Sequence, residues 1–415
     1  MSTKFCLRRL YCILVLAICF SSLTTFAAPI HDAAKAGDVA KVKALLDADP
    51  KLIEAEKVKW TPLFYAVAYN QLEVVRLLVE RGANLECKEE YGITPLTIAL
   101  HQARPEIIQL LLDHGANVNA RDSGGNTPMF EAQNIATLQL LLAKGGDILV
   151  KNNDGTSLLA YNTITGDEKL LQFLIDHNLG VNERDIQGQT TLFYAVKHAD
   201  CEIAMFLLKH GAEINEQDID GNTPLMMAFR KGDESNGEMH YVIDKLLDLK
   251  ADATLCNKSG VSALHLAARK WGVDTLKQLI AHGADVKAVD NQQQSAIQRA
   301  VYNPDINVLK FLLANHVPFD TPNTVGFTPL TYAVLNKSSK AVEILLDAGA
   351  TPKGNALLGM SPLYVAVSVG NKEIAKLLLN HGADPNEKNA KGLTPYDLAV
   401  KRGMKELAEM LKIKK

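Results

Sequence analysis

Residues 262–284, Ser262-Ala-Leu-His-Leu-Ala-Ala-Arg-Lys-Trp-Gly-Val-Asp-Thr-Leu-Lys-Gln-Leu-Ile-Ala-His-Gly-Ala284, read as two short helices, each with its own stop signal. Ser262 is an N-cap residue type, its hydroxyl able to accept from an early helical N–H. Leu264, Leu266, Ala267 and Ala268 give the first helix an apolar face with small residues for close approach. Gly272 breaks the chain, and Leu276, Leu279 and Ile280 then recur at the spacing of a second amphipathic helix. His282-Gly283 closes it, glycine being free to take the left-handed conformation past a helix end. So small a unit cannot bury its apolar face alone and needs neighbours.

The rest of the chain supplies them. The same opening recurs as Thr61-Pro-Leu, Thr94-Pro-Leu, Thr127-Pro-Met, Thr156-Ser-Leu, Thr190-Thr-Leu and Thr223-Pro-Leu, and after Ser262 as Ser295-Ala-Ile, Thr328-Pro-Leu, Ser361-Pro-Leu and Thr394-Pro-Tyr. Successive starts lie about 33, 33, 29, 34, 33, 39, 33, 33, 33 and 33 residues apart. Proline directly after a Thr or Ser cap is a helix start with a mechanism, because its missing N–H has no intrahelical partner there anyway. Gly82-Ala, Gly115-Ala, Gly211-Ala, Gly283-Ala, Gly349-Ala and Gly382-Ala mark the second-helix ends. Polar turn residues such as Asn119-Ala-Arg-Asp-Ser-Gly-Gly125 fill the connectors and suit hairpins rather than a third helix.

The pattern T-P-L-x-x-A followed by L-L-x-x-G-A-x-x-N resembles the ankyrin repeat. The resemblance implies an all-α ankyrin-repeat solenoid of about twelve helix-turn-helix repeats with short β-hairpin-like connectors. The ankyrin domain spans 28–415, with an N-terminal cap at 30–58, internal repeats at 59–391 and a C-terminal cap at 392–415. Ser262–Ala284 is the copy nearest the family pattern and alone keeps its histidine, as His265. Elsewhere that slot holds Phe64, Thr97, Phe130, Leu159, Phe193, Met226, Gln298, Thr331, Tyr364 and Asp397, so apolar packing is expected to replace histidine hydrogen bonding between repeats.

The N-terminus differs in kind. Met1–Arg9 carries Lys4, Arg8 and Arg9, an apolar run extends from Leu10 to Phe20, and Ser21-Ser-Leu-Thr-Thr-Phe-Ala-Ala28 comes next. These are the charged, apolar and small-residue regions of a secretory signal peptide, residues 1–27, with cleavage expected after Ala27. An uncleaved anchor is the alternative, though a core of about eleven residues is short for one. A lipoprotein signal would need a small residue before Cys19, where Ile18 stands. Cleavage takes the formal charge from −3 to about −6 and leaves Cys87, Cys201 and Cys256, in repeats too far apart to bridge. Neither value implies bulk attraction to nucleic acid or an anionic membrane. No later segment is long and apolar enough to span a membrane. A soluble monomer in the periplasm or outside the cell is expected.

Three places depart from the ladder. The copy starting at Thr127 is about four residues short, most of the loss falling around Gln133-Asn-Ile between its helices. In the next copy Tyr161 takes the slot that is usually alanine, and Asn178 replaces the stop glycine. The region 127–178 therefore either bends the stack, offers a gap to a partner or is tolerated drift. The copy starting at Thr223 carries about six extra residues, placed at Gly232-Asp-Glu-Ser-Asn-Gly237 as a polar loop. Val317-Pro318 replaces Gly-Ala in one later copy.

Almost no sequence lies outside the repeats, and H-E-x-x-H, G-x-x-x-x-G-K-[ST] and paired C-x-x-C are absent from it. No catalytic, cofactor-binding or metal residue is assigned. His114, His210, His282 and His381 each precede a stop glycine in separate repeats, where a donor suits the negative end of a helix. Connector Asn and Asp residues fit turn chemistry. The resemblance implies a binding surface made by the connector tips and the exposed end of each first helix. On it fall Lys197-His198, Arg230-Lys231 and Arg269-Lys270, a basic stripe beside Trp271. Tyr69, His101-Gln102, Tyr302-Asn303, Leu335-Asn336 and Lys401-Arg402 hold the same slot elsewhere. Ile186 and Ile219 sit on connector tips just before two of the basic copies. The stripe would track an acidic segment of a protein partner, unless its cations serve only helix C-termini or are neutralised by Asp233 and Glu234. A non-enzymatic protein-binding scaffold is the reading these features favour. A secreted effector engaging host proteins and a spacer without a partner are the alternatives.

Overall fold

A repeat begins where its cap fixes the chain. Thr61 sits in extended conformation, its hydroxyl accepts from the Phe64 N–H, and Pro62 takes the first helical position. Thr94, Thr223, Thr328, Ser361 and Thr394 do the same. The computed structural model describes residues 29–233, 236–353 and 359–412, so the signal-peptide segment and Glu234 lie outside the described residues. Those residues form helix pairs from Pro29 to Leu411, and no strand occurs among them. The connectors are hairpins reduced to single bridges, as between Cys256 and Ser262 or Val289 and Ser295. The fold is an all-α repeat solenoid, as the resemblance implies.

The chain forms two compact units. One comprises Met1–His198 with Met205–Ala212, the other Ala199–Ala204 with Glu213–Lys415. Within the first, the first helices Pro29–Ala36, Pro62–Ala68 and Pro95–His101 stack on one another, and their partners Val39–Ala48, Leu72–Glu80 and Pro105–Asp113 stack likewise. Within the second, Pro329–Leu335, Pro362–Ser368 and Pro395–Lys401 repeat the arrangement. In each unit the core is a continuous file of leucine, valine and alanine from successive repeats, with Leu63, Val67, Leu363 and Val367 wholly buried.

Polar ladders run beside this core. Backbone N–H groups at connector tips donate to the preceding tip, as Ser123 to Tyr91 (2.8 Å), Lys258 to Asp220 (2.9 Å) and Thr324 to Gln292 (3.0 Å). Glu86 and Asn215 side chains accept from the backbone of Asn117 and Asp252 in the next repeat, at 2.7 and 2.8 Å. A third ladder is made by side-chain amides: Gln102 donates to the Ala68 carbonyl, Asn303 to Ala268 and Asn336 to Val301, at 3.0–3.1 Å. Arg402 donates in the same way to Ser368. Phe64, Phe130, Phe193 and Met226 are buried in the histidine's slot, so apolar packing does take its place there, and hydrogen bonding between repeats persists beside it.

The irregular copies shift by small steps. Thr156 closes the connector by donating its N–H to Asn152 (2.9 Å), and Ser157 caps the helix Leu158–Asn162 instead. The start therefore moves one residue, Tyr161 aligns with Tyr65, and the alanine slot belongs to Asn162. That buried amide donates to the Leu158 carbonyl of its own helix at 2.9 Å. The histidine slot passes from Leu159 to Ala160 by the same shift. The Thr127 copy is shortened within its first helix, which is a four-residue 3₁₀ turn, Pro128–Glu131, where Thr94 begins seven helical residues. Asn178 does take the stop conformation, with φ 65°. In the later copy His316 holds that conformation at φ 55° and buried Val317 fills the alanine slot, so the substitution falls at His316-Val317. The insertion after Thr223 is only partly loop. Its second helix, Gly237–Asp248, has twelve residues where Val273–Ala281 has nine, so three of the added residues are helical.

Candidate partner-binding surface

Each first helix ends in a turn whose last side chains leave the stack, and that turn places the basic residues. In the second unit, Arg230 and Lys231 close the helix Pro224–Lys231, while Arg269 and Lys270 come just after the helix Ala263–Ala267. The two helices pack against each other, so the four cations occupy neighbouring repeats. All four are exposed, and none joins an ion pair among the described residues. Lys197 and His198 end the corresponding helix Thr191–Lys197 in the first unit and are half-buried. Lys197 lies 6.0 Å above the Tyr194 ring. Ile186, 58% exposed, and Ile219, 48% exposed, stand on tips of the first and second units respectively.

Trp271 is a correction. It is wholly buried and cannot meet a partner. Its ring packs edge-on against Phe229 at 5.4 Å and His240 at 4.6 Å. Its indole N–H points to the Phe229 carbonyl at 3.5 Å. Gly232 permits this approach, since a Cβ there would stand 2.6 Å from Met239 and 2.9 Å from the indole. Met239 and His240 lie on the helix Gly237–Asp248 that the insertion lengthens, so the tryptophan fills the space beside the longer copy.

Asn303 and Gln102 also turn away from the expected surface, donating back to the preceding repeat. Both stand eight residues after their caps, 303 − 295 and 102 − 94, as do Asn336 and Arg402. That fixed slot was the readable signal for the amide ladder. The first members of the same pairs stay on the surface, with Tyr302 39% and Leu335 38% exposed.

The remaining polar groups hold the scaffold. His114, His210, His282 and His381 each donate from Nδ1 to the carbonyl four residues earlier, at 2.8–2.9 Å, and His177 does so at 2.7 Å. Asp218 accepts from Asp220 and Asn222 backbone N–H groups, the turn role expected of connector acids. Tyr194 donates to Asp185 at 2.7 Å beside Thr156. Burial pushes its phenol well above the ordinary range, Thr156 opposing and Asp185 adding to the rise. Burial likewise pushes the Cys87 thiol up to about 11, far from thiolate chemistry at neutral pH. Among the described residues no cluster of three or more His, Cys, Asp or Glu is placed to hold a metal ion.

Comparison with known families accounts for this geometry. The family pattern described as ankyrin repeats (3 copies) matches residues 30–122, 128–218, 213–290, 235–324, 270–356 and 350–415. The chain belongs to the ankyrin repeat family. Ankyrin repeats are generally protein–protein interaction modules, and the family is typically non-enzymatic. Among curated proteins, similarity extends to the ankyrin repeat, SAM and basic leucine zipper domain-containing protein 1 of Mus musculus, 44% identical over 48 residues. The Mustela putorius furo counterpart is 42% identical over a stretch of the same length. These matches cover 12% of this ankyrin chain and 10% of each relative, so they reflect shared repeats. Among the described residues no helix is long and apolar enough to cross a membrane.

Proposed function

We propose that this ankyrin repeat protein is a non-enzymatic scaffold that is exported and binds a protein partner carrying an acidic segment. It works as a monomer in the periplasm or outside the cell, after loss of residues 1–27. The supporting observation is the set of four exposed cations, Arg230, Lys231, Arg269 and Lys270, unpaired among the described residues on adjacent repeats of a chain with 47 acidic residues. Cations that served only their own helix ends would pair with carbonyls or nearby carboxylates, and charges left unpaired on a rigid surface favour an opposite charge brought by a partner. Lys197, His198, Ile186 and Ile219 extend the reading to the first-helix ends and tips of their own repeats.

Affinity capture from the exported fraction, with the mature chain as bait, tests it. A protein should be retained by the wild type and lost when Lys197, Arg230, Lys231, Arg269 and Lys270 are changed to Glu. Retention unchanged by those substitutions removes the basic surface from the account. Sequencing of the mature N-terminus should begin at Ala28, and a start at Met1 rules out export by cleavage.

A further inference from the structure

In the two repeats after Arg269 and Lys270 the same slot turns aromatic and then apolar. In the slot after Arg269 stands Tyr302, and after that Leu335, both more than a third exposed. Tyr302 meets Tyr332 edge-on with ring centroids 6.2 Å apart. Tyr332 is itself held by Phe327 at 5.9 Å and by the side-chain amides of Gln294 (2.8 Å) and Asn323 (2.9 Å), which donate to its hydroxyl. Arg299, a second cation acting on these rings, is tied to Asp290 at 3.2 Å, and that carboxylate also accepts from two connector N–H groups. Burial, then the neighbouring Tyr332, push the Tyr302 phenol up, while the Arg269 and Arg299 charges act in the opposite direction. Arg269 and Tyr302 thus feel each other across the repeat boundary.

We infer that this face of the second unit binds one extended peptide segment of a partner, acidic at one end and apolar at the other. The inference rests on the scaffold reading above. Arg230, Lys231, Arg269 and Lys270 take the carboxylates, and the Tyr302–Leu335 surface takes a ring or branched aliphatic side chain. Two physical points choose this occupant. The four cations are unneutralised among the described residues whereas Arg299 beside the rings is neutralised, so charge changes along the face at a definite repeat. Tyr302 rests on a Tyr332 locked by two hydrogen bonds, so little side-chain freedom is lost on contact, the condition under which aromatic residues anchor interfaces. Stacked helices lie about 10 Å apart and an extended chain advances about 3.3 Å per residue, which spaces the contacts roughly three residues apart. The segment therefore reads acidic pair, acidic pair, apolar anchor at that spacing.

The probe is a fluorescein-labelled peptide of about twelve residues with two Glu-Glu pairs and then a Phe at that spacing, titrated into the mature full-length chain. Arg230→Glu with Arg269→Glu is expected to weaken binding at least tenfold and to flatten its salt dependence. Tyr302→Ala is expected to weaken it severalfold while keeping the salt dependence, as should Phe→Ser in the peptide. All three protein positions are on the surface, and unchanged helicity and melting confirm that the variants fold. Equal affinity for a single-stranded oligonucleotide of similar length, or binding indifferent to Tyr302→Ala, overturns the inference. If a captured partner is retained through the basic residues yet the peptide ignores both variants, the inference fails and the scaffold reading stands. If no partner is retained either, both fail.

Discussion

His265 shows what a single side chain does in this stack. Its Nδ1 accepts from the Ser262 N–H (3.2 Å) and hydroxyl (2.8 Å), while Nε2–H donates to the Gln294 carbonyl of the next repeat (3.1 Å). All of this needs the neutral ring, because a proton on Nδ1 would face the Ser262 donors. Burial accordingly holds its pKa below the ordinary 6.5, the Gln294 carbonyl and Asp290 acting weakly against that. A folded-state pKa below the unfolded one gives stability that is complete above pH about 6.5 and declines as pH falls toward the folded value. Denaturant midpoints should therefore drop less between pH 7 and 5 in His265→Gln than in the wild type. Gln298 makes the same pair of bonds to Ser295 one repeat later, both at 2.8 Å, so the glutamine should be tolerated. His265→Leu leaves buried donors and an acceptor unpaired and should cost about 2 kcal/mol. Equal losses for the two variants in urea denaturation would contradict the hydrogen-bond account. The histidine was legible in the sequence because its motif is; the amides at Gln102, Asn303 and Asn336 showed only as a recurring slot eight residues after the cap, because nothing local tells an exposed amide from one turned back onto a neighbour.

At the scale of the element, the insertion and Trp271 explain each other. Trp271→Ala should cost about 3–5 kcal/mol, since an emptied indole site bounded by Phe229, Met239 and His240 has no side chain free to refill it. Gly232→Ala should also destabilise, because its Cβ meets Met239 and the indole below ordinary contact distance. Thermal melts of both variants check the point, and wild-type stability in either would mean the inserted segment does not pack on the ring. Caps, stop residues and helix faces were readable because each is fixed within a few residues of sequence. The burial of Trp271 was not, since it depends on a helix made longer by an insertion whose helical share the period alone could not divide. The one-residue slip at Thr156 has a similar cause: threonine next to serine offers two caps, and the bond from Thr156 N to Asn152 chooses the second.

For the molecule as a whole, the ends of the first helices present a surface, and the uneven charge on it carries the functional reading. Attraction between exposed charges is screened by salt within a Debye length of about 8 Å at physiological ionic strength. Partner binding should accordingly weaken steadily as salt rises, and calorimetric titration across a salt series would show it. The most direct measurement of the central claim is hydrogen–deuterium exchange on the mature chain with and without its captured partner. Protection is expected at the ends of the first helices, around Arg230–Lys231, Arg269–Lys270 and Tyr302. Protection confined to the second helices, such as Gly237–Asp248 and Val273–Ala281, or no protection anywhere, would contradict it.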